Sequence, residues 1–130
     1  MKPKVILITD DEPHMRRLLE FTLAKTRQQL VLAVSGEEAL ARAQAGPIDL
    51  LVIDVGLPGM SGFETIKAIK ALPAYANLPV IMLTARGNTE IRNEATKLGV
   101  RAFLTKPFSP TELAATAQDL LKDPDESAQR

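Results

Sequence analysis

Three acidic residues, Asp10, Asp11 and Glu12, follow the apolar run Val5-Ile6-Leu7-Ile8, and a fourth, Asp54, stands directly after Leu50-Leu51-Val52-Ile53. Thr84 closes Val80-Ile81-Met82-Leu83, and Thr105-Lys106-Pro107 follow Arg101-Ala102-Phe103-Leu104. Brought to one place, these side chains define a narrow chemistry. Asp10, Asp11 and Asp54 cannot stay ionised side by side unless a cation offsets their repulsion. An all-oxygen donor set selects a hard divalent ion. Mg²⁺ suits best, because it takes one or two carboxylates, keeps waters and binds phosphate oxygens. Beside such an ion a carboxylate can attack phosphorus and become an acyl phosphate. Phosphoryl transfer then needs positioning and charge on three equatorial oxygens. Mg²⁺, Lys106 and Thr84 could each take one.

The elements that must position these residues alternate between strand and helix. The three apolar runs at 5–8, 50–53 and 80–83 are short and rich in Val and Ile, as in strands buried on both faces of a parallel sheet. Leu30 to Val34 and Arg101 to Leu104 make weaker runs of the same kind. Pro13 opens a helical pattern over 13–27, with Leu19 and Leu23 at i, i+4 and Met15 and Leu18 beside them. Further helices fit 36–45, ended by Gly46-Pro47, then 63–71, 88–98 closed by Gly99, and 110–122 opened by Ser109-Pro110. The alternation predicts a three-layer α/β domain over 1–122. Residues 123–130 carry no apolar anchor and are expected to form a loose tail. In an open parallel sheet ligands bind at the carboxyl ends of the strands, where all the polar residues above fall.

Composition narrows the field further. A chain of 130 residues with 45% hydrophobic and 25% charged residues is an ordinary globular domain. Sixteen basic residues balance sixteen acidic ones, so no basic half exists to grip nucleic acid. The absence of Cys excludes disulfides, thiolate chemistry and zinc–thiolate sites. No apolar run approaches a membrane span, and the four apolar residues after Lys4 are too few for a signal peptide. A cytoplasmic location is expected, with no direct nucleic-acid or membrane partner.

Each residue also has a plainer reading. Asp10-Asp11-Glu12 ahead of Pro13 could cap a helix and offset its dipole. Asp54 could start the turn that leads to Pro58-Gly59. Lys106 could be a solvated lysine, Thr84 a β-branched strand residue, and Phe103 an aromatic packed on an edge strand.

Taken together, Asp10-Asp11, Asp54-Val55-Gly56-Leu57-Pro58-Gly59-Met60-Ser61-Gly62, Thr84-Ala85 and Lys106-Pro107-Phe108 resemble the receiver domain of two-component response regulators, in order and spacing over residues 4–122. The resemblance implies a five-stranded parallel sheet of order 2-1-3-4-5 flanked by five helices. It implies that Asp54 accepts a phosphoryl group from a histidine kinase or phosphotransfer protein. Mg²⁺ would be held by Asp10, Asp11, Asp54 and the backbone carbonyl of Gly56. Lys106 and Thr84 would bind the phosphoryl group, and the Lys106-Pro107 bond would be cis. Thr84 and Phe103 would carry the signal to the helix 4–strand 5–helix 5 face, where a downstream protein is controlled. Such a protein is a signalling phosphoacceptor that catalyses only its own phosphorylation and dephosphorylation. It would be a monomer or weak dimer, either a stand-alone regulator or the receiver fragment of a larger one.

Several departures from the family pattern carry their own expectations. Gly56 replaces the larger side chain usual two residues after the acceptor, leaving room for the water that hydrolyses an acyl phosphate. Arg86, at the mouth of the site, is expected to obstruct that water, so these two residues would tune the phosphoryl lifetime. Val100-Arg101-Ala102 and Thr116 lack the charges used by the regulators that dimerise head-to-head through this face. Kinase docking is expected at His14, Met15 and Leu18 with Pro107 and Phe108. Three other classes fit less well. An aspartyl phosphatase needs Asp-x-Asp, and Asp54 is followed by Val55-Gly56. A flavin protein needs a Ser/Thr/Gly loop where this chain has three acids. A constitutive interaction module would be expected to have lost some of these residues.

Overall fold

The computed structural model describes residues 3–85 and 87–122. Five strands, β1 (Val5–Thr9), β2 (Gln29–Ala33), β3 (Leu50–Asp54), β4 (Val80–Thr84) and β5 (Ala102–Thr105), alternate with five helices, α1 (Pro13–Ala24), α2 (Gly36–Ala45), α3 (Gly62–Lys70), α4 (Thr89–Lys97) and α5 (Pro110–Leu120). Every strand pairing is parallel, and the order across the sheet is β2-β1-β3-β4-β5, as the resemblance implies. The three strongest apolar runs are the three central strands. The weaker two are the edges, and their half-exposed faces explain the mixed composition.

Successive strand residues feed two cores. Leu7, Leu51, Ile53, Val80 and Met82 meet Ala39, Ala43, Ile66, Ile69 and Ala95 of α2, α3 and α4. Ile6, Ile8, Leu50, Val52, Ile81 and Leu83 meet Leu19, Leu23, Leu113 and Ala117 of α1 and α5. With both faces covered, only the ends of the sheet are open to ligands.

Helix α1 ends at Ala24 rather than at the expected residue 27. The Thr26 hydroxyl donates to the Leu23 carbonyl at 2.6 Å, and Arg27 adopts the left-handed region at φ 62°. No Gly or Pro marks this stop, so the periodicity alone runs past it. Leu18, expected beside the buried stripe, is 41% exposed. A short 3₁₀ turn at Pro73–Tyr75, which the sequence did not announce, precedes β4. The Tyr75 hydroxyl ties it to the Gly46 carbonyl at 2.7 Å. Helix α5 ends at Leu120, and the expected tail at 123–130 lies outside the described residues. No helix among the described residues is long and apolar enough to cross a membrane.

Candidate functional site

The order β2-β1-β3 means that the chain leaves β1 in one direction along the sheet and β3 in the other, which opens a crevice at their carboxyl ends. Asp10 stands one residue past β1, and Asp54 is the last residue of β3. One oxygen each of Asp10, Asp11 and Asp54 fall within 4.8 Å of one another. Asp10 is fully buried, Asp54 half-buried and Asp11 exposed.

Glu12 decides what the acidic run does. It is the N-cap of α1, accepting from His14 N at 3.0 Å and Met15 N at 2.7 Å. Those two bonds hold its carboxyl below the usual carboxylate range. The capping reading is therefore correct for Glu12, and Asp10 and Asp11 remain turned to the crevice. One oxygen of Asp10 accepts from Glu12 N at 2.9 Å, and its backbone carbonyl accepts from Arg16 Nη1 at 2.9 Å.

Lys106 arrives from the far side. Its Nζ lies 3.3 Å from Asp10 Oδ2 and 3.5 Å from Asp54 Oδ2. The Lys106–Pro107 peptide is cis, and Lys106 N donates to the Thr84 carbonyl at 2.7 Å. Thr84, buried at the end of β4, lines a cleft of ≈ 390 Å³ with Asp54, Val55, Gly56, Ala85, Ile91 and Lys106. A Cβ on Gly56 would meet nothing within 4 Å, so this wall of the cleft is open.

Electrostatics define what the crevice accepts. Three carboxylates face one ammonium, which leaves two negative charges, the charge of one divalent cation. Burial pushes the Asp10 carboxyl above its usual range, against the Glu12 N–H and Lys106, and Asp54 adds repulsion. A raised folded-state pKa means that the stability gained from the neutral form is present in acid and lost as pH rises through that pKa. Asp10→Asn keeps the acceptor for Glu12 N and removes the buried charge. It should raise the melting temperature at pH 7 by roughly 3–5 °C, the size of a ~1 kcal/mol change, with little gain near pH 4. Millimolar Mg²⁺ should stabilise the wild type and not this variant. Calorimetric melts of both at the two pH values, with and without Mg²⁺, check this.

The structure thus brings Asp10, Asp11, Asp54, Gly56, Thr84 and Lys106 to one crevice. Phe103 lies away from it, half-buried on β5 against the α2–α4 core. Of the five docking residues, His14, Leu18 and Pro107 are exposed. Met15 and Phe108 pack partly against the α1–α5 core. Arg86 lies outside the described residues. Sequence reasoning counted Gly62 in the motif but gave it no role of its own; it is the first residue of α3, where a Cβ would fall 2.5 Å from the Asp54 carbonyl oxygen and 2.9 Å from Val55 Cα. The available signal was its place after Ser61, which with Glu64 forms a capping box and so fixes the helix start against β3. Sequence reasoning passed over Phe21, three residues from Leu18 and 68% exposed, with Lys25 Nζ 5.2 Å from its ring centroid.

Residues 6–118 match the response regulator receiver domain family. The chain belongs to that family. Receiver domains work with histidine kinases or phosphotransfer proteins and with downstream targets. The chemotaxis protein CheY4 of Vibrio cholerae has the same fold, with a TM-score of 0.86 and 34% identity over 92% of this chain and 99% of that one. The cyclic di-GMP phosphodiesterase response regulator RpfG of Xanthomonas campestris is 35% identical over 90% of this receiver but only 32% of its own length. The receiver domain of the sensor histidine kinase PA1611 of Pseudomonas aeruginosa, solved with a magnesium ion in its active-site cleft, is 26% identical, with a TM-score of 0.83 over 92% of this chain and 98% of that one. The receiver spans about a third to a half of the length of the first curated regulators that it matches.

Proposed function

We propose that this receiver takes a phosphoryl group onto Asp54 from a phosphohistidine of a kinase or phosphotransfer protein and passes the change to a protein target. The observation that carries the reading is the single crevice in which three carboxylates and Lys106 leave the charge of one divalent cation over a cleft with room for a phosphoryl group. An Asp54 oxygen attacks phosphorus as the P–N bond breaks. The leaving imidazole takes a proton, and Asp54 becomes an acyl phosphate. Asp10, Asp11, Asp54 and the Gly56 carbonyl are suited to hold Mg²⁺, which when bound neutralises charge on the transferring phosphoryl oxygens. Lys106, already paired with Asp54, moves its ammonium onto a phosphoryl oxygen, and the Thr84 hydroxyl at the β4 end donates to another.

Incubation with acetyl phosphate and Mg²⁺ should add the mass of one phosphoryl group, and chelation of Mg²⁺ should prevent it. No gain of mass would overturn the reading.

Two further outcomes follow from the surface of the site. Leu18→Lys, at an exposed position on α1, should slow transfer from the cognate kinase about tenfold or more while leaving acetyl phosphate labelling intact, since truncating or charging a central contact costs about 1.4 kcal/mol or more. Equal loss of both would place the damage in the fold instead. Gly56→Met fills open space beside the acyl phosphate and should lengthen its lifetime several-fold by excluding water. Dephosphorylation of the purified phosphoprotein in Mg²⁺ reads this directly, and an unchanged rate would remove Gly56 from the account.

A further inference from the structure

Asp11 is the exposed carboxylate of the crevice, whereas Asp10 is buried and Asp54 half-buried. No packing surrounds its side chain, so its direction depends on the backbone that carries it. That backbone is held at three successive peptides. The peptide entering Asp10 donates its N–H to the Ala33 carbonyl at 3.2 Å. The peptide between Asp10 and Asp11 turns its carbonyl to Arg16, whose Nη1 donates to it at 2.9 Å. The peptide between Asp11 and Glu12 donates its N–H to Asp10 Oδ1 at 2.9 Å. Arg16 acts from a rigid support. Its own N donates to the Glu12 carbonyl at 3.0 Å in the capped first turn of α1, and Leu19 and Leu23 bury that helix among residues of β1 and α5.

A peptide is a plane, so a bond to its carbonyl fixes the whole unit. With the planes on both sides of Asp11 held, its φ and ψ are held, and so is the direction of its Cβ. A carboxylate on such a backbone is aimed before an ion arrives, which lowers the ordering cost of binding. We infer that Arg16 is a positioning residue for the divalent cation, which sets the direction of Asp11 by holding the Asp10–Asp11 peptide. The inference rests on the reading of Asp10, Asp11 and Asp54 as a Mg²⁺ site. Its sign separates it from plain electrostatics. A guanidinium repels a nearby divalent cation, so as a bare charge Arg16 would weaken Mg²⁺ binding and its removal would tighten it. As a positioning residue its removal loosens binding.

A Mg²⁺ titration of the full chain, without phosphodonor and followed by the amide chemical shifts of Asp11, Glu12 and Gly56, reads the affinity. Arg16→Ala should bind Mg²⁺ about tenfold more weakly, the scale of losing an outer hydrogen-bond partner of a metal ligand. Its melting temperature without Mg²⁺ should fall by less than about 5 °C, because water replaces the lost donor. Arg16→Lys keeps a donor of similar reach without the rigid fork, and should bind within about threefold of wild type. Labelling of Arg16→Ala by acetyl phosphate should return to the wild-type rate once Mg²⁺ is raised about tenfold, because Asp54, Thr84 and Lys106 are untouched. Three results would overturn the inference: unchanged or tighter Mg²⁺ binding in Arg16→Ala, a Lys variant no better than the Ala variant, or labelling that stays slow at saturating Mg²⁺. A wild-type chain whose shifts do not respond to millimolar Mg²⁺ would overturn the metal reading itself, and the inference with it.

Discussion

Asp54→Asn should take no phosphoryl group from acetyl phosphate, with labelling at least about 100-fold below wild type, the scale of losing a nucleophile. The reason lies in how the three carboxylates are placed. Asp10 is buried, with one oxygen bonded to Glu12 N and the other 3.3 Å from Lys106. Asp11 is exposed and does not line the cleft. Asp54 alone combines a side chain that lines the cleft with an ammonium 3.5 Å away to receive the transferred charge. The variant should keep its fold, because Asn occupies the same volume at the end of β3 and sheds a charge that repels Asp10. Intact-mass measurement on both proteins in Mg²⁺ decides. Labelling of Asp54→Asn to the wild-type level would move the acceptor elsewhere.

Gly62→Ala should lower stability by roughly 2–3 kcal/mol, as overpacking against groups that cannot move aside does. The obstacle is backbone on both sides. The new Cβ would lie 2.5 Å from the Asp54 carbonyl oxygen and 2.9 Å from Val55 Cα, so either α3 or the end of β3 must shift. Since Asp54 is that end, the same change should slow phosphorylation by acetyl phosphate several-fold in the protein that remains folded. Gly46→Ala supplies the control: its Cβ would meet nothing within 4 Å and its φ of −164° suits any residue. It should change stability by no more than about 0.5 kcal/mol. Urea melts of the three proteins check the first effect and labelling rates the second. Equal stability of Gly62→Ala and wild type would mean that α3 does not rest on the acceptor strand.

What could be read without coordinates was whatever depends on neighbours along the chain. Buried parallel strands need apolar side chains on both faces, so Val5–Ile8, Leu50–Ile53 and Val80–Leu83 announce themselves as runs. Helix starts need a cap within three residues, so Ser61 with Glu64 and Ser109 with Pro110 are visible locally. Even the α1 boundary failed for a local reason, because Thr26 and Arg27 stop a helix without the usual Gly or Pro. Acids and hydroxyls placed just past strand ends also carried their meaning, since a parallel sheet gathers those ends at one edge.

Tertiary structure decided the rest. Nothing in Asp10-Asp11-Glu12 says which acid caps α1. The answer depends on the direction in which the chain leaves β1, and Glu12 takes the cap while Asp10 turns inward. Leu18 and Leu19 are equally apolar, and only the packing of α1 against β1 and α5 buries one and leaves the other 41% exposed. Lys106 reaches Asp10 across 96 residues of sequence, a pairing that no local pattern encodes. Gly62 against the Asp54 carbonyl and Arg92 over Phe103 are likewise contacts between separate elements. Composition and periodicity determined which elements form and where the reactive groups stand along them, because those are properties of hydrophobic burial and backbone capping. The distances that gather these groups into one crevice exist only once the sheet has set strands from distant parts of the chain about 5 Å apart.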